Sequence, residues 1–334
     1  MFTPMRYPLL LLAPLFLVGC QSDGEPTAEQ KEKMLEIYTE TAQSYYQMGE
    51  VERAAGQAEK GLLLDPDNQQ LKLVLAWSLQ RRGKTEDVAR AEGLFRETAS
   101  SGDFRALLGM GDVLERKGLA YAEAADKIES GDRVTEAADP QQRVQELRAR
   151  ANACWREALD WYRQTIAKQA DNSDAHGGLT RVHTLLGERR EALAAADRAL
   201  EIVSADYAFW EQRVRAPDVR IEEEKRMRSL LGRLQKILIA THMTAYQLCV
   251  ELDQKPAALG HLDAALALDP ERADAYSRRA QLRLEAADYA GATKDIDAFL
   301  ARSSLAFEHP DMKKAWQIRR EAEAGLKRQQ ASKP

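Results

Sequence analysis

Five histidines and three cysteines are the most reactive side chains in this sequence, and a metal centre or a nucleophile would have to be assembled from them. His176 and His183 lie seven residues apart and share a helix face, but helical zinc ligands stand closer and bring further ligands with them. The pair reads as one histidine facing a groove and one packing. His242, His261 and His309 are scattered, with no cysteine or carboxylate pattern beside them. The glycines of Gly177-Gly178 and Gly109-Met110-Gly111 fall inside expected helices, so they suit close helix packing rather than a phosphate-cradling loop after a strand. Cys154 and Cys249 occupy apolar helical positions and read as buried thiols, with a disulfide between them as the alternative. The acidic-basic run from Glu222 to Arg228 reads as a solvated helix face. No catalytic residue, cofactor, metal or small-molecule substrate is expected, and the reading is of a non-enzymatic protein.

Cys20 stands apart. It closes the segment LFLVGC and opens the polar stretch QSDGEP; upstream lie Arg6 and the apolar run from Leu9 to Val18. That run is too short for a hydrocarbon layer of roughly 30 Å and is weakened by Pro14, so it suits the core of a signal peptide rather than a spanning helix. Leu17-Val18-Gly19-Cys20 resembles the lipobox of bacterial lipoprotein signals. The resemblance implies that residues 1–19 are removed, that a diacylglycerol is attached to the Cys20 thiol, and that the new amino terminus is acylated. An ordinary secretory signal containing a cysteine is the alternative. Gln21 after the cysteine, in place of aspartate, implies the periplasmic face of the outer membrane; Asp23 leaves the inner membrane open. Residues 20–34 read as the lipidated cysteine and a flexible polar tether.

The rest of the chain must position whatever the anchor carries. Charged residues make up 30 % of it and prolines number only 11, while no stretch alternates β-branched residues with period two, so helices are expected throughout and no sheet. A net charge of -5 excludes a general nucleic-acid binder. YYQMGEVERAAGQAEKGLLLDPDN (45–68) and CVELDQKPAALGHLDAALALDPER (249–272) share a two-helix pattern, and Pro66 and Pro270 are six periods of 34 residues apart. Further units at that period place Leu179, Gly187, Ala192, Ala196 and Ala199, then Tyr276, Ala280, Tyr289, Ala292 and Phe299, at equivalent small and large positions.

These residues resemble the tetratricopeptide repeat pattern. The resemblance implies an all-α, right-handed superhelical solenoid of about eight helical hairpins, with repeats over 35–138 and 139–306 and a polar-faced capping helix and tail over 307–334. The polar stretch 129–142 is the expected internal loop, dividing the array in two. Stretch 207–238 matches poorly, with Pro217 expected to interrupt a first helix. In this family the first helix of each unit lines a concave surface. That places Gln43, Tyr46, Asp112, Glu115, Arg181, Gln247, Glu251, Arg278 and Gln281 as candidate partner-binding residues, ordinary solvent exposure being the alternative for each. The lysine and asparagine clamp by which some members hold a peptide carboxylate is not apparent. The resemblances together imply a membrane-anchored scaffold for one or more envelope proteins. A pilotin-like assembly factor for a pilus or secretion-system secretin, or a regulator of a peptidoglycan enzyme, are the alternatives.

Overall fold

Thr27 opens the first helix. Its hydroxyl accepts the Gln30 amide (3.3 Å) while the Gln30 side chain accepts the Thr27 amide (2.9 Å), which satisfies two donors a helix start leaves free. The computed structural model describes residues 27–132, 139–217 and 219–331. The signal segment 1–19 and Cys20 lie outside the described residues. Helix α1 (Ala28–Met48) thus begins inside the stretch expected to be tether, because the polar residues after Thr27 are good helix formers held by that cap.

Among the described residues the chain forms thirteen helices and no strand. Helix α1 pairs with α2 (Val51–Leu64), α3 (Gln69–Arg82) with α4 (Thr85–Ala99), and α5 (Phe104–Glu129) with α6 (Pro140–Lys168). Then α7 (Ser173–Leu186) pairs with α8 (Arg189–Val214), α9 (Ile221–Glu251) with α10 (Lys255–Leu268), and α11 (Ala273–Glu285) with α12 (Tyr289–Arg302). Helix α13 (Pro310–Ala331) packs on the last pair as the expected cap. Where the turns are tight, Gly49 (φ 82°) and Gly187 (φ 77°) adopt the left-handed conformation that ends a helix and that a side chain would resist.

Among the described residues the array therefore holds six hairpins and a cap, not about eight hairpins. Residues 104–172 form one hairpin, in which α5 continues through Gly118 and α6 is its partner helix. Residues 207–238 likewise divide between the end of α8 and the start of α9, and Pro217 falls in the connection instead of interrupting a helix. Helices α5, α6, α8 and α9 run 26, 29, 26 and 31 residues where the shorter members run 13 to 15.

Stacking is set by small residues facing large ones. A Cβ on Gly109 would stand 2.4 Å from the Phe95 ring, on Gly118 2.3 Å from Trp155, and on Gly325 2.4 Å from Tyr289. Only glycine lets those rings lie against a neighbouring helix. One continuous buried cluster extends from Ala42 on α1 to Val182 on α7. It crosses the loop between α5 and α6, so the core does not divide at 138/139. Beyond α7 the apolar residues form three smaller clusters, over α8–α9, α9–α11 and α11–α13. Cys154 on α6 is half-buried and Cys249 on α9 is buried; both are free thiols, and burial pushes each pKa up. No described helix is long and apolar enough to cross a membrane.

Candidate functional site

The odd-numbered helices carry all nine groove candidates, and the structure sorts them by what their polar atoms already hold. On α1, Gln43 is half-buried, and Tyr46 lies beneath the Arg81 guanidinium, 5.3 Å from ring centre to Cζ. Burial raises the Tyr46 pKa against the opposing pull of Arg81.

Asp112, Glu115 and Arg181 come together. Arg181 on α7 donates from Nε and Nη2 to the two Glu115 carboxylate oxygens at 2.7 and 2.8 Å, and its Nη2 stands 3.7 Å from Asp112 Oδ1. At their centre is Tyr162 of α6, whose hydroxyl lies 2.7 Å from Asp112 Oδ1 and 2.8 Å from Glu115 Oε2. The ring fits there because Gly111 and Gly178 flank it; a Cβ on either would approach it to 2.5 or 2.4 Å. Burial raises the Asp112 pKa, opposed by the Tyr162 hydrogen bond and the Arg181 charge. These three candidates thus spend their polar groups on one another and tie α5, α6 and α7. Nothing in the sequence marks the Tyr162 hydroxyl as the centre of a polar cluster.

Gln247 and Glu251 on α9 are similarly engaged. Gln247 donates to Glu251 (3.2 Å), which also accepts from Arg189 Nε of α8 (2.7 Å). Those two hydrogen bonds lower the Glu251 pKa.

On α11, Gln281 likewise donates to Glu285 (2.9 Å), whereas Arg278 has only a 3.7 Å ion pair with Asp274. Arg278 and Gln281 line a cleft of ≈ 430 Å³ between α9, α11 and the start of α13. Its apolar wall comprises Tyr246, Phe299 and Leu305, and its polar lining includes Ser303 and Lys314. Sequence reasoning missed Tyr246 and Lys314. The lysine was read as part of the solvated face of a cap, and only the packing of α13 beside α11 brings it to the cleft.

Another unforeseen pairing joins α9 and α10. His242 and His261, far apart in sequence, face each other with Nδ1 atoms 3.1 Å apart, and Asp197 of α8 lies 4.0 Å from His261 Nε2. Among the described residues no group of three histidine, cysteine or acidic side chains is arranged to hold a metal. Burial, then the neighbouring imidazole, pushes the His242 pKa down to about 4, and burial also lowers that of His261. The fold thus favours the neutral ring. The stability this contributes is present above the unfolded value near 6.5 and is lost as pH falls from there towards about 4. Acidification from pH 7 to 5 is expected to cost about 1 kcal/mol through this pair, after allowance for its partial solvent access. Urea unfolding followed at both pH values should show that loss, and a His242→Asn variant should show a smaller one; equal losses would rule the pair out as its source.

No protein-family model and no curated protein matches the chain. Solved structures do. One, from the functional characterization of Pseudomonas aeruginosa pilF, superposes with a TM-score of 0.53 at 13% identity, covering 86% of this chain and 98% of that one. YrrB, described as a TPR protein with an unusual peptide-binding site, gives 0.47 at 15% identity over 80% of this chain and 100% of its own. TTC0263, a thermophilic TPR protein of Thermus thermophilus, gives 0.43 at 16% identity over 76% and 99%. At such identities the likeness concerns fold alone, and with the helical hairpins described above it makes this chain an all-α solenoid of tetratricopeptide type.

Proposed function

We propose that this chain is a non-enzymatic scaffold lipoprotein, anchored through Cys20 to the periplasmic face of the bacterial outer membrane and holding one or more envelope proteins there. The observation that carries the protein-binding part is the open cleft on α9, α11 and α13, where the exposed side chains of Arg278 and Lys314 line one cavity without a hydrogen bond among the described residues. The anchoring part rests on LFLVGCQS, which ends shortly before the first described helix. Two or three acyl chains, each burying methylenes at about 0.8 kcal/mol apiece, would make the attachment stable. A stack of hairpins then presents its inner helices as a long surface on a tether.

The test is crosslinking in cells followed by affinity capture of the full chain and of a Cys20→Ala variant, with partners identified by mass spectrometry. Capture of an envelope protein by the anchored form alone is the expected result. Equal capture by both forms would remove the anchor from the function, and absence of a specific partner from both would overturn the scaffold reading. A deletion strain separates the narrower roles: misplaced secretin multimers would mark an assembly factor, and altered activity of a peptidoglycan enzyme a regulator.

A further inference from the structure

Two of the three cations lining the α9–α11–α13 cleft, Arg278 and Lys314, differ from most basic residues around them in having donors to spare. Arg279 and Arg283, on the same helix as Arg278, donate to Asp263 and Asp295 at 2.6 to 2.9 Å. Arg302, also at the cleft, donates to the Pro270 and Ala298 carbonyls at 2.8 and 3.3 Å. Arg278 makes no hydrogen bond among the described residues. Its guanidinium lies over the Tyr246 ring, 5.6 Å from the centroid, with Nε 3.7 Å from Asp274. Stacking on the aromatic face holds the planar group in place while leaving its edge donors open. Lys314 on α13 makes no hydrogen bond or ion pair among the described residues, although its charge reaches Glu285.

Two acids, Asp274 and Asp311, stand among these cations. Asp274 is held by Arg272 at 2.9 Å from Nε and 3.3 Å from Nη2, while Asp311 lies 3.7 Å from His309. The cleft lining therefore holds three cations, Arg278, Arg302 and Lys314, against two acids, with Arg278 and Lys314 on opposite helices. Behind them the buried Tyr246 and Phe299 rings reach the cleft only at their edges, and Leu305, 38% exposed, offers the accessible apolar surface.

We propose that this cleft binds an acidic, partly apolar segment of a protein partner, with a carboxylate between Arg278 and Lys314 and a neighbouring apolar side chain against Tyr246, Phe299 and Leu305. A planar guanidinium with open edge donors matches a carboxylate in two-point contact, and the lysine adds a second charge-assisted bond. The apolar wall and a volume of ≈ 430 Å³ select a peptide segment over a lone inorganic anion, which needs neither. Approach of the segment should also be steered by charge and weaken with salt. This inference rests on the scaffold reading and gives that scaffold a place and a chemistry of binding.

The experiment places a photocrosslinking amino acid at Gln281, inside the cleft, and separately at Gln43 on α1, in the full-length protein in cells. Captured segments are sequenced by mass spectrometry. Capture at Gln281 of segments rich in Asp and Glu is expected, falling at least tenfold in the Arg278→Gln/Lys314→Gln background. Both residues are exposed, so the double variant should retain the helical circular dichroism of the parent. Segments without acidic residues, capture that the double variant leaves unchanged, or no capture at Gln281 would each overturn the inference. If Gln281 captures nothing while Gln43 does, the cleft fails and the scaffold stands; if neither position captures a partner, both fail.

Discussion

Replacing Tyr162 with Phe is expected to destabilise the protein by about 1–3 kcal/mol, and replacing it with Ala by about 3–5 kcal/mol. The two losses have separate causes. Phe keeps the ring between Gly111 and Gly178 and removes only the hydroxyl, leaving Asp112 and Glu115 without a donor they hold at 2.7 and 2.8 Å. One hydroxyl proton cannot serve both oxygens at once, so the geometry describes a shared donor whose loss falls on two carboxyl groups together. Ala also empties the space occupied by a side chain that is 0% exposed. Urea unfolding of the three proteins measures both steps. The hydroxyl step carries its own pH signature. The Tyr162 bond lowers the Asp112 pKa against the raising effect of burial. Without it Asp112 takes up a proton more readily, so the deficit of the Phe variant should shrink as pH falls from 7 to 5. A Phe variant within about 0.5 kcal/mol of the parent at pH 7 would show that the hydroxyl contributes no net stability to the cluster.

This cluster also marks where sequence reasoning reached and where it stopped. The repeat pattern locates its small positions and the large Phe299 correctly: Ala192, Ala196, Ala199, Ala280, Ala292 and Phe299 are all buried. It places Asp112, Glu115 and Arg181 on first-helix positions, but exposure and pairing look alike in sequence. Arg181 and Glu115 are 66 residues apart, and only the stacking of α7 on α5 makes them partners. The same limit hid the His242–His261 contact. The count of hairpins failed for a local reason. A 34-residue period assumes a turn in every unit, whereas residues from Leu119 to Glu129 and from Ser204 to Val214 contain no glycine or proline to end a helix, so α5 and α8 continue. Close packing holds for Gly109, Gly111 and Gly178, each of which faces a ring, but not for Gly177, where a Cβ would meet only Arg181 Nη1 at 3.6 Å. Cys20 and its lipidation lie outside the described residues, and they enter the function as a proposal.

Asp295→Ala should be the most disruptive single change in the C-terminal hairpins, costing about 3–5 kcal/mol. The carboxylate is 1% exposed and receives Arg279 through Nε and Nη2, at 2.9 and 2.6 Å, and Arg283 through Nη1 at 2.8 Å. Removing it leaves two guanidinium groups beside the buried face of α12 without their buried acceptor, Arg283 keeping only Asp288 at 3.7 Å. Asp263 retains one contact with Arg279 at 2.6 Å, but its carboxylate is 56% exposed and screened by water, so Asp263→Asn should cost less than about 1 kcal/mol. Asp295→Asn, which keeps the shape and loses the charge, should fall between the two. The position of the loss matters as much as its size. The cluster around Ala280, Ile296, Phe299 and Ala315 is separate from the core that runs from α1 to α7, and in a stacked array each hairpin is stabilised mainly by its neighbours. Hydrogen exchange on Asp295→Ala should therefore show protection lost over α11–α13 and kept over α1–α7. Uniform loss along the chain would mean that the array unfolds as one unit. With local loss, Arg278 and Lys314 would no longer stand on fixed helices, and capture from Gln281 should fail in this variant although neither cation has been altered.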